Sequence, residues 1–341
     1  MKAAILKNWN ELEMAEIEKP EACCCEAVIK VRYGGVCGSD ITVFSGLHPT
    51  AKAPVVLCHE ILGTIDELPK NYKGKLKAGD RVLIDPVVSC QECPTCKSGL
   101  GNVCGSLKLL GIHINGGFAQ YTKAAPDQLV KVSDNLPDNV AALGEPFAVA
   151  YHVCKRAGVA KKNKVLVTGA GTIGIVVALA AKELGAERVI VSEINKSRIE
   201  LAKSLGLETV NPMEIDLPAF AKEASNSVGF DIVIDASGAK QSILQLPDLC
   251  RPGGTLMSLS LSSQPYEFII GKVSFKEQTL VGSRLYSHDD FIGGVEMMKS
   301  LFKSCDLSQI VTDTMDLDEL PEALNMMKTG KNVGKILIKC N

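Results

Sequence analysis

The amino-acid sequence predicts an α/β protein in which a β-rich domain precedes a doubly wound parallel sheet. Three observations predict it. Residues 1 to about 145 carry short apolar runs, such as 27–31 and 80–84, cut by Gly, Pro and charged turns, with no long helical period. From about Phe147 onward, helical and strand patterns alternate. Within that second part, an apolar strand pattern runs straight into a glycine-rich turn and a helix. The β-rich part is expected to form a partly open barrel. In the second part, residues 165–168 read as a strand and 175–184 as a helix stopped by Gly185. Residues 188–192 form the next strand, 196–205 a helix ended by Gly206, and 230–235 and 255–259 two further buried strands. Residues 336–338 read as a last strand that pairs back onto the first domain. The expected division is 1–146, 147–285 and a return segment 286–341, with a small lobe at about 88–106 inside the first domain.

At 341 residues the chain is long enough for two domains. Apolar residues make up 46% and the formal net charge is -2, which argues against a nucleic-acid partner, since that leaves a basic footprint. The apolar run within residues 1–7 is too short for a secretory signal. The longest uncharged stretch, 165–181, is glycine-broken and shorter than the roughly 20 apolar residues of a membrane span. Thirteen cysteines in a large chain without such a signal point to a reducing, cytoplasmic compartment and to metal ligation, not disulfides.

The glycine turn carries the first chemistry. Gly169, Gly171 and Gly174 spell G-x-G-x-x-G, with Thr172 and Ile173 between the last two. The first glycine permits the tight turn, the second lets the backbone approach a pyrophosphate, and the third allows close helix–strand packing. Phosphate charge then sits on the helix N-terminus. Glu193, nineteen residues past Gly174, is placed to accept hydrogen bonds from the adenosine ribose. A carboxylate accepts from a free 2′-hydroxyl and repels a 2′-phosphate, so NAD is expected over NADP. Arg198 and Lys196 close by keep NADP open.

Two clusters in the first domain could hold metal. Cys90, Cys93 and Cys96 at C-x-x-C-x-x-C spacing, followed by Cys104, can surround one tetrahedral zinc. An iron–sulfur motif begins the same way, but its fourth cysteine follows after three residues and precedes proline. Here seven residues intervene and Gly105 follows. The second cluster is Cys37 with His59 and Glu60: a thiolate, an imidazole and a carboxylate that leave a fourth position open, as a catalytic zinc requires. Taken singly, each is equally an ordinary buried cysteine, a satisfied core histidine and a solvated glutamate.

In combination, Cys37-Gly-Ser-Asp40, His59-Glu60 followed by Gly63, the four-cysteine lobe and the glycine turn resemble the zinc-containing medium-chain dehydrogenases. The match is to their sorbitol dehydrogenase-like branch of polyol and sugar-acid dehydrogenases. Gly144-Glu145-Pro146-Phe147 resembles that branch's domain-junction motif, and residues 111–118 resemble a segment of its bacterial sugar-acid members. The resemblance implies a GroES-like catalytic domain, a Rossmann NAD-binding domain and two zincs per chain. Cys37, His59 and Glu60 would hold the catalytic zinc, with Glu145 a further or water-mediated ligand, and the four cysteines the structural zinc. Asp40 would accept the other N–H of His59 and fix its tautomer. Ser39 would hydrogen-bond the reacting hydroxyl, and Arg284 would face the substrate, its guanidinium suited to a carboxylate or phosphate. A homodimer or homotetramer joined through the Rossmann sheet edges is also implied.

Three departures stand out. Cys58 replaces the family's glycine before the histidine, and Thr42 stands where many relatives carry a proton-relay histidine. His48 and His113 are alternative pocket residues; His113 and Thr42 are placed with Arg284 as substrate contacts. Cys23-Cys24-Cys25 replaces a polar turn and reads as a surface or edge segment. The implied reaction is transfer of hydride from a secondary alcohol of a polyol, cyclitol or sugar acid to NAD. A short-chain diol or L-threonine dehydrogenase on the same scaffold is the alternative enzyme. A non-catalytic zinc- and nucleotide-binding protein is the alternative outside enzymes.

Overall fold

The β-branched runs of the first part become sheet, as side chains that fit a pleated, half-buried surface should. In the computed structural model, which describes residues 1–341 apart from 227, 261–264, 266 and 267, two units are distinguished. The first comprises Met1–Glu145, Ser287–Ile292 and Ile310–Asn341. Its larger sheet has seven strands. Leu129–Lys131, Arg81–Ile84, Glu60–Glu67 and Ala27–Gly35 lie antiparallel in that order. Lys335–Lys339 continues the sheet antiparallel to Ala27–Gly35, Val311–Asp316 follows in parallel, and Tyr121–Ala124 pairs with the first half of Ala27–Gly35. A three-stranded sheet of Glu11–Glu16, Lys2–Asn8 and Val55–Val56 accompanies it. Ile29, Ile61, Leu62, Ile65, Leu83 and Phe118 are fully buried in this unit.

The second unit comprises Pro146–Tyr286 and Gly293–Gln309, so the tail of the chain is shared between the units. Its sheet is entirely parallel: β1 (Lys164–Thr168), β2 (Arg188–Ser192), β3 (Glu208–Val210), β4 (Phe230–Asp235), β5 (Cys250–Ser258) and β6 (Thr279–Gly282). Their spatial order is 3-2-1-4-5-6. Strand order therefore reverses between β1 and β4, where open α/β sheets bind ligands. The central strands carry Val165, Leu166, Val167, Ile190, Val191, Val233 and Ile234, all fully buried. Near-continuous apolar runs of this kind are what a sheet covered on both faces needs. The helix after β1, α1 (Thr172–Glu183), starts at Gly171, which offers no side-chain cap; α2 (Lys196–Ser204) is capped by Asn195, whose side chain accepts from Arg198 N–H. Among the described residues, no helix is long and apolar enough to cross a membrane.

Candidate active site

Strand register assembles the first cluster. Gly35 pairs with Glu60, and Leu337 pairs with Gly35 from the other side, so three strands bring Cys37, the His59-Glu60 pair and Lys335 together. Cys37 is the N-cap of the helix Gly38–Phe44, and His59 immediately precedes the strand that Glu60 begins. One donor atom from each of Cys37, His59 and Glu60 lies within 4.8 Å of the others. Gly35 makes room for this, because a Cβ there would fall 2.1 Å from Glu60 Oε2.

Charge explains what the cluster can hold. His59 is buried and its Nδ1 has no hydrogen-bond partner among the described residues. Burial acts to lower its pKa, but the Cys37 sulfur and the carboxylates of Asp40 and Glu145 outweigh it and hold the ring well above its ordinary value. Anionic groups that favour a proton here also favour a divalent ion. Thiolate, imidazole and carboxylate are the donors that suit zinc, so the residues present fit that metal. Glu145 is buried and close enough to act on His59 and Lys335, yet it lies outside the three-donor group.

Two surroundings of the cluster differ from expectation. Asp40 Oδ1 is 3.8 Å from His59 Nδ1, too far for a hydrogen bond. The Asp40 carboxylate is instead occupied by backbone donors, Cys37 N–H at 2.9 Å and Cys58 N–H at 3.2 Å, and so fixes the segments that carry Cys37 and His59. Glu60, fully buried, places both carboxylate oxygens 2.6 Å from Lys335 Nζ, which also donates to Val36 O at 3.0 Å. Sequence patterning does not single out Lys335. Its only signal is a lysine opening the apolar run 336–338.

The remaining predicted residues separate. Ser39 Oγ lies 3.1 Å from Cys37 Sγ and 3.5 Å from His59 Nε2, beside the cluster. Thr42 spends its hydroxyl on Gly38 O at 3.2 Å, the back-bonding of a helical threonine. His113 accepts Leu109 N–H on Nδ1 at 3.1 Å and meets Thr50 Oγ1 through Nε2 at 2.8 Å, with His48 edge-on to its ring. Arg284 lies exposed, two residues beyond β6. Cys58 has φ +84°, a left-handed conformation that favours glycine, the residue the family resemblance implies there. Burial holds its thiol well above the ordinary value, and its sulfur occupies space left by Gly34 and Gly117.

The four-cysteine lobe closes on itself. Sγ–Sγ distances are 3.8 Å for Cys90–Cys96, 3.9 Å for Cys93–Cys104 and 3.5 Å for Cys104–Cys90. Tetrahedral zinc with bonds near 2.3 Å sets its sulfurs about 3.8 Å apart, so these residues also fit the metal. Backbone N–H donors from Glu92 and Cys93 lower Cys90 to about 6, while desolvation and neighbouring thiols push Cys96 to about 11. Without a cation, like charges this close do not all ionise.

In the second unit, a cavity of about 700 Å³ opens at the ends of β1, β2 and β4 and is lined by Gly169, Gly171, Glu193 and Arg198 among others. Gly169 has φ +95°. A Cβ at Gly174 would fall 1.9 Å from Gly169 O, whereas one at Gly171 would meet open space, the space a pyrophosphate needs. Thr172 and Ile173 form the first turn of α1. Glu193 is buried at the cavity wall and accepts Ala170 N–H at 2.6 Å, Ile194 N–H at 2.8 Å and Asn195 N–H at 2.9 Å. It therefore clamps the glycine turn to the end of β2.

Residues 25–134 match the alcohol dehydrogenase GroES-like domain, and residues 172–300 match the zinc-binding dehydrogenase family. The chain is 36% identical to the L-galactonate-5-dehydrogenase of Escherichia coli (strain K12), over 85% of each chain. It is 33% identical to the sorbitol dehydrogenase of Halalkalibacterium halodurans, over 99% of each. The crystal structure of the alcohol dehydrogenase rspB from E. coli CFT073, complexed with NADH, superposes with a TM-score of 0.90 at 29% identity, covering 99% of both chains. Similarity of this extent, joined to two assembled donor sets and a glycine-turn cavity, makes this chain a member of the zinc-containing medium-chain dehydrogenase family, an oxidoreductase with a GroES-like domain and a Rossmann domain.

Proposed function

We propose that this enzyme oxidises a secondary alcohol of a polyol or sugar acid with NAD, using a zinc held by Cys37, His59 and Glu60. A second zinc, held by Cys90, Cys93, Cys96 and Cys104, is structural. The observation that carries the reading is the gathering of Cys37, His59 and Glu60 within 4.8 Å, with the Ser39 hydroxyl beside them. Bound there, the metal supplies Lewis-acid polarisation that lowers the pKa of a substrate hydroxyl, and NAD supplies the hydride acceptor.

The chain's own residues do the rest. Ser39 Oγ both accepts and donates, so it takes the hydroxyl proton and passes it to water, a route that does not need a histidine at position 42. Glu145 adds negative charge near His59 and would serve as a further or water-mediated ligand of the metal. Glu193 selects the free 2′-hydroxyl of NAD, and Gly171 leaves room for the pyrophosphate. Arg284 offers an exposed guanidinium suited to a carboxylate or phosphate, which favours acidic substrates. Relatives named L-galactonate-5-dehydrogenase and sorbitol dehydrogenase support the substrate class.

The protein acts as a homodimer or homotetramer through β6, an edge strand whose Leu280 is 51% exposed. Leu280→Lys should lower the mass measured by light scattering, and an unchanged mass would refute this edge. The substrate test is NADH formation against a panel of polyols, inositols, aldonates, sugar phosphates, short diols and L-threonine. Turnover on at least one polyol or aldonate is expected. Turnover confined to short diols or L-threonine overturns the substrate class, and no turnover on any alcohol overturns the enzyme reading.

A further inference from the structure

Three consecutive cysteines, Cys23, Cys24 and Cys25, belong to neither donor set. Neighbours on a strand would face opposite ways. These residues instead form a turn ahead of the strand Ala27–Gly35, closed by Cys23 N–H donating to Glu26 O at 3.2 Å. The turn is anchored: Lys123 Nζ lies 2.7 Å from Glu26 Oε2, and Ala27 pairs with Ala124. Cys23 Sγ turns toward the same Glu26 oxygen, at 3.5 Å. That leaves Cys24 and Cys25, both exposed, with their sulfurs 3.3 Å apart.

Such a pair is poorly suited to becoming a disulfide. Adjacent Cα atoms are about 3.8 Å apart, shorter than the roughly 4.4–6.8 Å that a relaxed bridge spans. Nor is it a redox-sensing thiol, which needs a lowered pKa. The Cys25 thiol is held above its ordinary value, chiefly by its hydrogen bond with Cys24. Two soft sulfurs fixed on one side of an anchored turn suit a soft centre that bonds to both.

We propose that Cys24 and Cys25 form a surface dithiol site for a thiophilic trivalent centre, an arsenous or antimonous species. With an organic arsonous acid, two As–O bonds break and two As–S bonds form. Each thiol proton leaves with one hydroxide as water, so two waters are released and nothing is oxidised or reduced.

The test is intact-mass spectrometry of the zinc-loaded protein with one equivalent of phenylarsonous acid. One adduct with loss of two waters is expected on the wild type and on Cys23→Ser. Cys24→Ser and Cys25→Ser should each bind about a hundredfold or more weakly, because the second bond no longer forms intramolecularly. Peptide mapping should place the adduct on residues 24 and 25, with no zinc released. Absence of the adduct, equal binding by the Cys24→Ser/Cys25→Ser variant, or an adduct on the zinc lobe would each overturn the proposal.

Discussion

Lys335→Met tests how the buried charges of the metal cluster are balanced. In the wild type, Lys335 is 3% exposed, Glu60 is fully buried, and Nζ donates to both carboxylate oxygens and to Val36 O. Burial works against the ammonium, but Glu60, joined by the Cys37 sulfur and Glu145, outweighs it and holds the Lys335 pKa above its ordinary value. Methionine fills most of the aliphatic volume and removes the charge, leaving a buried carboxylate without that partner. Breaking a buried pair from one side costs about 3–5 kcal/mol. Zinc on Glu60, as proposed above, would supply a replacement positive charge, so the full cost is expected in chelator-stripped protein and a smaller one in the zinc-loaded form.

Trp9, the single tryptophan, lies in the first unit, so its fluorescence in a urea titration follows that unit's unfolding. Glu60→Gln/Lys335→Met should recover much of the loss in a double-mutant cycle, since neither ion is then stranded. A loss below about 1 kcal/mol in stripped protein, the size of an exposed pair, would refute the account of Lys335. A larger loss with zinc than without it would refute the contact between Glu60 and the metal.

Glu193→Ala removes a carboxylate expected to receive a ribose hydroxyl, worth about 1.5–3 kcal/mol for a charge-assisted bond, so NAD should weaken roughly tenfold to a hundredfold in a fluorescence titration. NADP should weaken less, and equal losses would remove the assigned role. His288 Nδ1 sits 2.8 Å from Asp85 Oδ2, which raises the histidine's pKa above 6.5. A raised folded-state value means stability present below about pH 6.5 and lost as pH climbs through the folded value. With His288 nearly half exposed, the wild-type advantage over His288→Gln should stay below about 1 kcal/mol near pH 6 and shrink toward pH 9. An advantage that grows with pH would contradict the pairing. Gly174→Ala, with its Cβ 1.9 Å from Gly169 O, should abolish NAD binding while zinc content stays unchanged, and tight NAD binding would contradict the packing of the turn.

Local rules make the second unit legible in its residues alone. Gly169 and Gly174 are demanded by backbone positions only a few residues away, and the runs 188–192 and 230–235 are strands because their residues suit a doubly covered sheet. The zinc lobe is equally legible, since Cys104 lies only 14 positions beyond Cys90 and spacing sets the geometry. What the sequence hides is non-local. Lys335 is 275 residues from Glu60, and nothing near either residue announces the pair. Position alone makes Asp40 a histidine partner, whereas the fold gives its oxygens to two backbone N–H groups. Position likewise makes Thr42 a substrate contact, but the helix beneath it takes its hydroxyl. The three cysteines at 23–25 carry no periodicity, and only the closed turn shows which two sulfurs meet.

The most direct test joins metal content to turnover in one variant. Zinc analysis of the wild type should give two ions per chain, and the protein should form NADH from at least one polyol or aldonate. Cys37→Ser should retain one zinc, bind NAD with unchanged affinity and form no NADH. Cys37→Ser protein that still holds two zincs and turns over at the wild-type rate would contradict the claim that Cys37, His59 and Glu60 hold the catalytic metal.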